Sequence, residues 1–299
     1  MPATPTPPPA QSKQYRGLLI GLFAALTFGL YPAAAKAAYA QGANAVFVVI
    51  FTTFARALAL VVFCLLTGKK LRPNAKQRSA ALSGGACQAL SVFGIIGSLV
   101  FLPAAVTITL MFTHTLMLMA FMVQRGELPF TVPILLSAVL SLLGVSFVVD
   151  VWQSSAALDV RGVALAFLAA LATALRLYLF GKEVLQNHPA VVGAQIFSVA
   201  SLCTLLLCLF ENPVAPTGGL GFLWLTLCAL ALVLGTFAMF YGIALLGSFQ
   251  WSLMAKLEPL FTALFAFLVM GESLHFSQYF GMLLLLGSLA FYQFYARRA

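Results

Sequence analysis

The sequence predicts an all-α membrane protein, a bundle of ten transmembrane helices arranged as two inverted five-helix repeats around a central cavity. Hydrophobic residues make up 62% of the 299 positions and charged residues only 8%, with a mean hydropathy of +1.04. A soluble chain of this length cannot hide that much apolar surface, so lipid must be its solvent. The apolar runs are continuous rather than alternating, which excludes a transmembrane barrel. Short matches also recur at a constant offset of 145 residues.

Residues 1–15 open with MPATPTPPPAQS, too rich in proline for a regular element, and are expected to be a disordered tail. A spanning helix needs about 20 mainly apolar residues. Runs near 17–39, 45–67, 79–101, 104–124 and 130–150 meet that length, as do 161–181, 189–210, 220–245, 249–270 and 276–296. They divide the chain into a first repeat over 16–150 and a second over 161–299, together one integral membrane domain. Lys13 and Arg16, the first apolar run and Ala38-Tyr39-Ala40 also resemble a signal peptide with its cleavage site. The length of that run, the interruption by Lys36 and the repeat's need for this helix favour its retention.

Ten spans put both termini on one side of the membrane. That side collects Lys13, Arg16, Lys69, Lys70, Arg72, Lys76, Arg78, Arg125, Lys182, Arg297 and Arg298, against Lys36 and Arg161 on the other. The positive-inside rule therefore sets both termini in the cytoplasm and the protein in the inner (plasma) membrane. The net charge of +9 is spent on topology. No folded basic domain exists to bind nucleic acid. The five cysteines are scattered through apolar runs without CxxC spacing and read as small hydrophobic filler.

Arg16-Gly17 opens the first span and Arg161-Gly162 the sixth; Gly126-Glu127 closes the fourth and Gly271-Glu272 the ninth. Between these anchors Ala24-Ala25-Leu26 matches Ala169-Ala170-Leu171, and Gly97 matches Gly242. The chain thus looks like a duplicated five-helix unit. Five is odd, so the second copy must be inverted, as in many alternating-access transporters with a substrate site near the midplane. A channel built from inverted halves also fits this pattern.

The stretch LEPLFTALFAFLVMGESL at 257–274 resembles the ninth-helix signature of EamA-type members of the drug/metabolite transporter superfamily, and LGTFAMFYGIALLGS at 234–248 resembles their eighth helix. The resemblance covers nearly the whole chain after residue 15 and extends to the aromatic amino-acid exporter kind. It implies a secondary transporter, commonly an exporter of metabolites or drugs, rather than an enzyme. The sequence accordingly lacks a phosphate-binding GxxxxGK[ST] loop. The first repeat departs from the pattern, with Thr113 where Glu258 aligns and His114 where Pro259 aligns.

Ionisable groups in hydrocarbon are costly and face a cavity or a partner. Glu258 and Pro259 suggest a kinked helix with a freed Ala255 carbonyl and a carboxylate near the midplane. Glu258 either contacts substrate or locks two helices by pairing with a buried cation. Arg56 is the natural distant partner, and the resemblance also carries an arginine in the second helix. Lys256, two positions from Glu258, points elsewhere. Arg176 can snorkel to the interface or reach substrate. His114 reads either as a group that carries a proton or binds a carboxylate, or as a buried histidine bonded to a neighbouring threonine. Phe28, Tyr31, Phe237 and Tyr241 are candidate walls of a soft apolar cavity, with ordinary helix packing the alternative, and Pro32 and Pro259 are candidate bends for gating.

These readings converge on a secondary exporter of a small amphiphilic metabolite, foremost an amino acid with an apolar or aromatic side chain. The alternative is an organic-cation or multidrug exporter of the same fold. The substrate-binding candidates are Lys256, Glu258, His114, Arg56, Tyr31, Phe28, Phe237 and Tyr241. No metal, cofactor or catalytic residue is expected, since the histidines and acids lack ligand spacing and no nucleophile pair is present. The expected partners are a small-molecule substrate and the lipid bilayer, with the chain a monomer or weak homo-oligomer.

Overall fold

The computed structural model describes residues 9–153, 158–270 and 275–296, and all regular structure among them is helical. In chain order the helices are α1 (Pro9–Ala40), α2 (Ala45–Leu66), α3 (Ala75–Leu99), α4 (Ala104–Met111), α5 (His114–Gln124) and α6 (Val132–Val148). They continue as α7 (Val160–Gln186), α8 (Pro189–Thr204), α9 (Gly218–Leu246), α10 (Ser248–Met254), α11 (Glu258–Met270) and α12 (Phe276–Ala296). Short 3₁₀ turns follow α6 and α8, and a third, Ala255–Leu257, joins α10 to α11. Seven of these runs are long and apolar enough to cross a bilayer, and Val132–Val148 is a shorter apolar helix. The fourth and ninth expected spans are each bent midway, giving α4–α5 and α10–α11.

Helix α1 begins at Pro9, so residues 9–15 of the expected tail are helical; residues 1–8 lie outside the described residues. Proline suits the first helical turn because its missing N–H would be unpaired there in any case. Gly271 and Glu272, an anchor of the repeat, and Arg297 and Arg298, used for topology, also lie outside the described residues. Pro32 sits inside α1, which runs on past it.

Polar side chains sit where helices end. Asn44 caps α2, accepting from the Phe47 N–H at 3.0 Å, and also donates to Glu211 Oε1 and to the Asn212 carbonyl. One residue thereby ends a helix and fastens a distant loop to it. Asn74 and Gln77 form a reciprocal capping box on α3 at 2.8 and 2.9 Å, supplying two donors with acceptors. A single residue, Gly247, separates α9 from α10; its φ of 79° lies where L-residues are strained, so glycine permits this tight connection.

Packing follows from small residues. Helix α1 lies along α9 and α11, α3 along α7, α6 along α12 and α2 along α8; α3 also touches α8, α2 touches α9, and α4 and α5 both lean on α7. Ala24, Ala25, Ala169 and Ala170 are essentially fully buried in these seams. Leu19, Leu58, Leu202 and Leu283 point outward and are more than half exposed, which suits hydrocarbon and not water. Gly144 and Gly281 face each other across the α6–α12 seam. A Cβ on Gly281 would fall 2.6 Å from the Val148 nitrogen and 2.7 Å from the Gly144 carbonyl oxygen, both backbone atoms that cannot swing aside. Small residues at such crossings let the backbones approach. Gly281→Leu is therefore expected to destabilise the protein by roughly 1–3 kcal/mol, the usual cost of overpacking. A lowered thermal-unfolding midpoint in detergent checks this, and an unchanged midpoint refutes it.

Candidate functional site

Near the middle of the bundle lies a cavity of about 170 Å³, lined by Phe28, Arg56, Gln88, Arg176, Leu177, Phe197, Thr236, Met239, Trp251, Ala255 and Glu258. These residues come from nine of the helices and turns in both halves of the chain, each contributing a position well inside its span. The volume holds about six waters at ~30 Å³ each, well below the roughly 300–1,000 Å³ of clefts for drug-sized ligands.

Two guanidinium groups form the cationic wall. Arg56 donates from Nε to the Thr52 carbonyl (3.3 Å) and from Nη2 to Thr53 Oγ1 (3.2 Å), and lies 4.7 Å from the Phe197 ring centroid. Arg176 donates from Nη1 to Gln88 Oε1 at 2.6 Å and sits over Phe180 at 5.4 Å, while its buried Nε has no hydrogen-bond partner. Aromatic faces offset part of the cost of taking these cations from water. The buried Thr236 hydroxyl also lacks a partner.

Glu258 supplies the opposite charge. Helix α10 ends at Met254, and the chain tightens into the 3₁₀ turn before Pro259 enters the first turn of α11. The expected loose carbonyl of Ala255 is not loose, because it accepts from the Glu258 N–H within that turn. Nor does Glu258 leave helical geometry, with φ −54° and ψ −51°. The tighter turn absorbs the proline and gives the Ala255 carbonyl a donor, as a low-dielectric surrounding favours. No ion pair joins Glu258 to Arg56 or Arg176 among the described residues. Of the expected site residues, then, Arg56, Glu258 and Phe28 meet in one cavity, together with Arg176.

The remaining candidates lie elsewhere. Lys256 is fully buried, with Nζ 2.9 Å from Ser141 Oγ and 3.4 Å from the Ala138 carbonyl, so it ties the 3₁₀ turn to α6 and points away from Glu258. His114 is buried at the start of α5, where Nδ1 donates to the Met111 carbonyl at 3.0 Å. Tyr31 packs with Phe47 and Trp224 around Ala34 and Val48. Phe237 and Tyr241 line a lipid-facing groove between α1 and α9 with Leu19 and Phe23. Trp251, Gln88 and Thr236 were missed. Trp251 lies against Gly242, where an added Cβ would collide with its ring, a contact that the sequence alone does not signal.

Beyond Arg176, the polar end of α7 is tied to the loop after α5. Glu127 accepts from Lys182 Nζ at 2.9 Å and from the Tyr178 hydroxyl at 3.0 Å. Lys182 is six residues past Arg176, about 9 Å along the helix. The hydrogen bond from Lys182 holds the Glu127 carboxyl below its ordinary range. A depressed carboxyl stabilises the folded link above its unfolded value, and that contribution is lost as pH falls through the lowered one. Solvent exposure keeps the effect small.

Residues 160–293 match the model of the EamA-like transporter family. A solved structure described only as "Crystal structure of protein" superposes with a TM-score of 0.77 at 18% identity, over 93% of this chain and 98% of that one, a likeness of fold alone. No curated protein matches the chain. The fold is that of an integral membrane protein, and its second half is similar to EamA-like transporters. That similarity supports a place in the drug/metabolite transporter superfamily.

Two outcomes follow from this geometry. Lys256→Met keeps the apolar contacts of a buried side chain that faces α6, so it should leave substrate affinity within about 2-fold of the parent, whereas a Lys256 in direct contact with substrate would lose more. Binding titrations on the purified variant decide between these. A ¹³C titration of Glu127 should give a midpoint below the ordinary carboxylate value, and Lys182→Met should raise it; an unmoved midpoint refutes the link.

Proposed function

We propose that the protein is a secondary transporter of a small zwitterionic metabolite, an amino acid with an apolar side chain, moved by alternating access between two inverted halves. The observation that carries this reading is the cavity, which offers guanidinium groups and a carboxylate that are not paired with each other, beside apolar and aromatic walls. An α-carboxylate suits Arg56 and the unpartnered Nε of Arg176. An ammonium group suits Glu258, and an apolar side chain suits Phe28, Met239 and Trp251. The small cavity and its two cations favour this over the organic-cation alternative.

The packing supports inverted halves. Exchanging the first five spans for the last five carries the α1–α9 pairing onto α7–α3, α1–α11 onto α7 with α4–α5, and α3–α8 onto α9–α2, while α2–α8 and α6–α12 map onto themselves. The break in the fourth span, Phe112–Thr113, and the 3₁₀ turn in the ninth, Ala255–Leu257, fall at nearly the same offset, overlapping at Phe112 and Leu257. Bent helices beside a midplane site are the parts that move in transporters of this architecture. Rocking about these bends would open the cavity to one side at a time, and export is the direction that the family resemblance favours. The Glu127–Lys182 link would open when the end of α7 separates from the loop after α5.

Flux in proteoliposomes tests the reading. Labelled phenylalanine and threonine should show saturable flux without ATP, and a quaternary cation should not. Arg56→Gln and Arg176→Gln should raise the half-saturation concentration about 10-fold or more, the loss expected for a buried charge-assisted hydrogen bond. Cation flux abolished by Glu258→Gln, with no amino-acid flux, would establish the alternative instead.

A further inference from the structure

A second concavity lies between α2, α3 and α8, away from the central site. It has a volume of about 390 Å³ and is walled by Val61, Leu71, Ala81, Leu82 and Val199, with Arg78 at its polar edge. Leu82 is 60% exposed, so the groove opens outward to the hydrocarbon side of the bundle. Arg78 is the fourth residue of α3, about 5 Å from its start along the axis, where headgroups meet acyl chains. Gln195 Nε2 donates to the Leu71 carbonyl at 3.3 Å, fastening the preceding loop to α8 and fixing the rim.

Arg78 lines the groove, and the loop and helix turn leading to it add four more cations. Lys69, Lys70, Arg72, Lys76 and Arg78 are all exposed, and among the described residues none forms an ion pair. Among the described residues, their one side-chain hydrogen bond is from Lys76 Nζ to the neutral amide oxygen of Gln186. No acid lines the groove; Glu127 is paired with Lys182, and the buried Glu183 on α7 accepts from Asn187. A groove apolar along its length and cationic at one end has the polarity of a phospholipid with a negative headgroup. A soluble anion would leave the apolar length empty, and a neutral lipid would leave the cations unanswered.

We propose that this groove is a binding site for one anionic phospholipid, its phosphate at Arg78 within the field of the neighbouring cations and an acyl chain against Val61 and Leu82. Basic residues at the membrane surface attract anionic headgroups, and the apolar wall converts that attraction into a defined position.

The experiment is native mass spectrometry of the full-length protein released from detergent containing equimolar phosphatidylglycerol and phosphatidylcholine. One phosphatidylglycerol should be retained in preference to phosphatidylcholine. Arg72→Gln with Arg78→Gln should weaken that retention roughly 30-fold, as the loss of two surface cations implies. Leu82→Trp fills the groove and keeps every charge, and it should also displace the lipid. Arg125→Gln, elsewhere among the basic residues, should change nothing. Circular dichroism and elution volume confirm that each variant is folded; if the double variant is not, Leu82→Trp decides alone. Equal retention of both lipids overturns the proposal, as does retention that survives Leu82→Trp or falls equally with Arg125→Gln. Displacement by millimolar inorganic phosphate would also overturn it, by showing a free-anion site.

Discussion

Hydrocarbon offers no hydrogen bonds to a backbone, and this single constraint decides where the chain can depart from a regular helix. Among the described residues the spans depart from the α-helix at the bends of the fourth and ninth spans and at the 3₁₀ turn Leu205–Leu209 that ends the seventh. At the ninth-span bend the Ala255 carbonyl takes the Glu258 N–H, and the Thr262 hydroxyl donates to the Glu258 carbonyl at 3.1 Å. At the fourth-span bend there is no proline. Thr113 Oγ1 instead donates to the Leu110 carbonyl at 2.6 Å and His114 Nδ1 to the Met111 carbonyl at 3.0 Å. Polar side chains that reach carbonyls three residues back compete with the helix ladder and bend it. Thr113 and His114, which stand where Glu258 and Pro259 align, thus accompany a break in the helix made by different chemistry.

Electrostatics builds on that frame. Had Arg56 and Glu258 paired, the cavity would hold a salt bridge, and substrate would have to break it. The arginines rest instead on neutral acceptors and aromatic faces, and among the described residues no hydrogen bond or ion pair engages the Glu258 carboxylate. Lys256 shows the contrasting arrangement. Its ammonium is enclosed by Ser141 and Ala138 of α6, where it joins the bend to a neighbouring helix and is closed to any ligand. Burial alone thus does not mark a site; what separates Lys256 from Glu258 is whether open volume lies beside the charged atoms.

Much of this was legible in the sequence. Continuous apolar runs gave the order of the helices, and Glu258-Pro259 marked the ninth-span bend. The spacing of two between Lys256 and Glu258 required opposite directions. What a single chain could not show was which face of a nearly all-apolar helix turns inward. Without amphipathic contrast, Phe237 and Tyr241 look as suitable for a cavity as Phe28, yet they sit half-buried on a separate groove between α1 and α9, while Trp251, seven residues before Glu258, lines the cavity. Arg176 illustrates the same limit. Its position toward one end of α7 allowed it to snorkel, and only the placement of Gln88 on α3 shows that the guanidinium turns into the bundle.

On the two-copy reading, the symmetry of the scaffold stops at the cavity. At the offset of 145, Arg56 corresponds to Ser201, Arg176 to Tyr31, Gln88 to Val233 and Glu258 to Thr113. Every charged group in the cavity is thus present in one copy and absent from the other. A ligand near the axis that relates such halves would meet two equivalent ends if both copies had kept their polar residues. Here it meets a cationic wall drawn from α2 and α7 and a carboxylate drawn from α11. A molecule with two unlike charged ends can satisfy both, and in one orientation only. On the proposed reading a duplicated frame would supply the motion, while the divergence of a few positions within it would supply the polarity that a zwitterion reads.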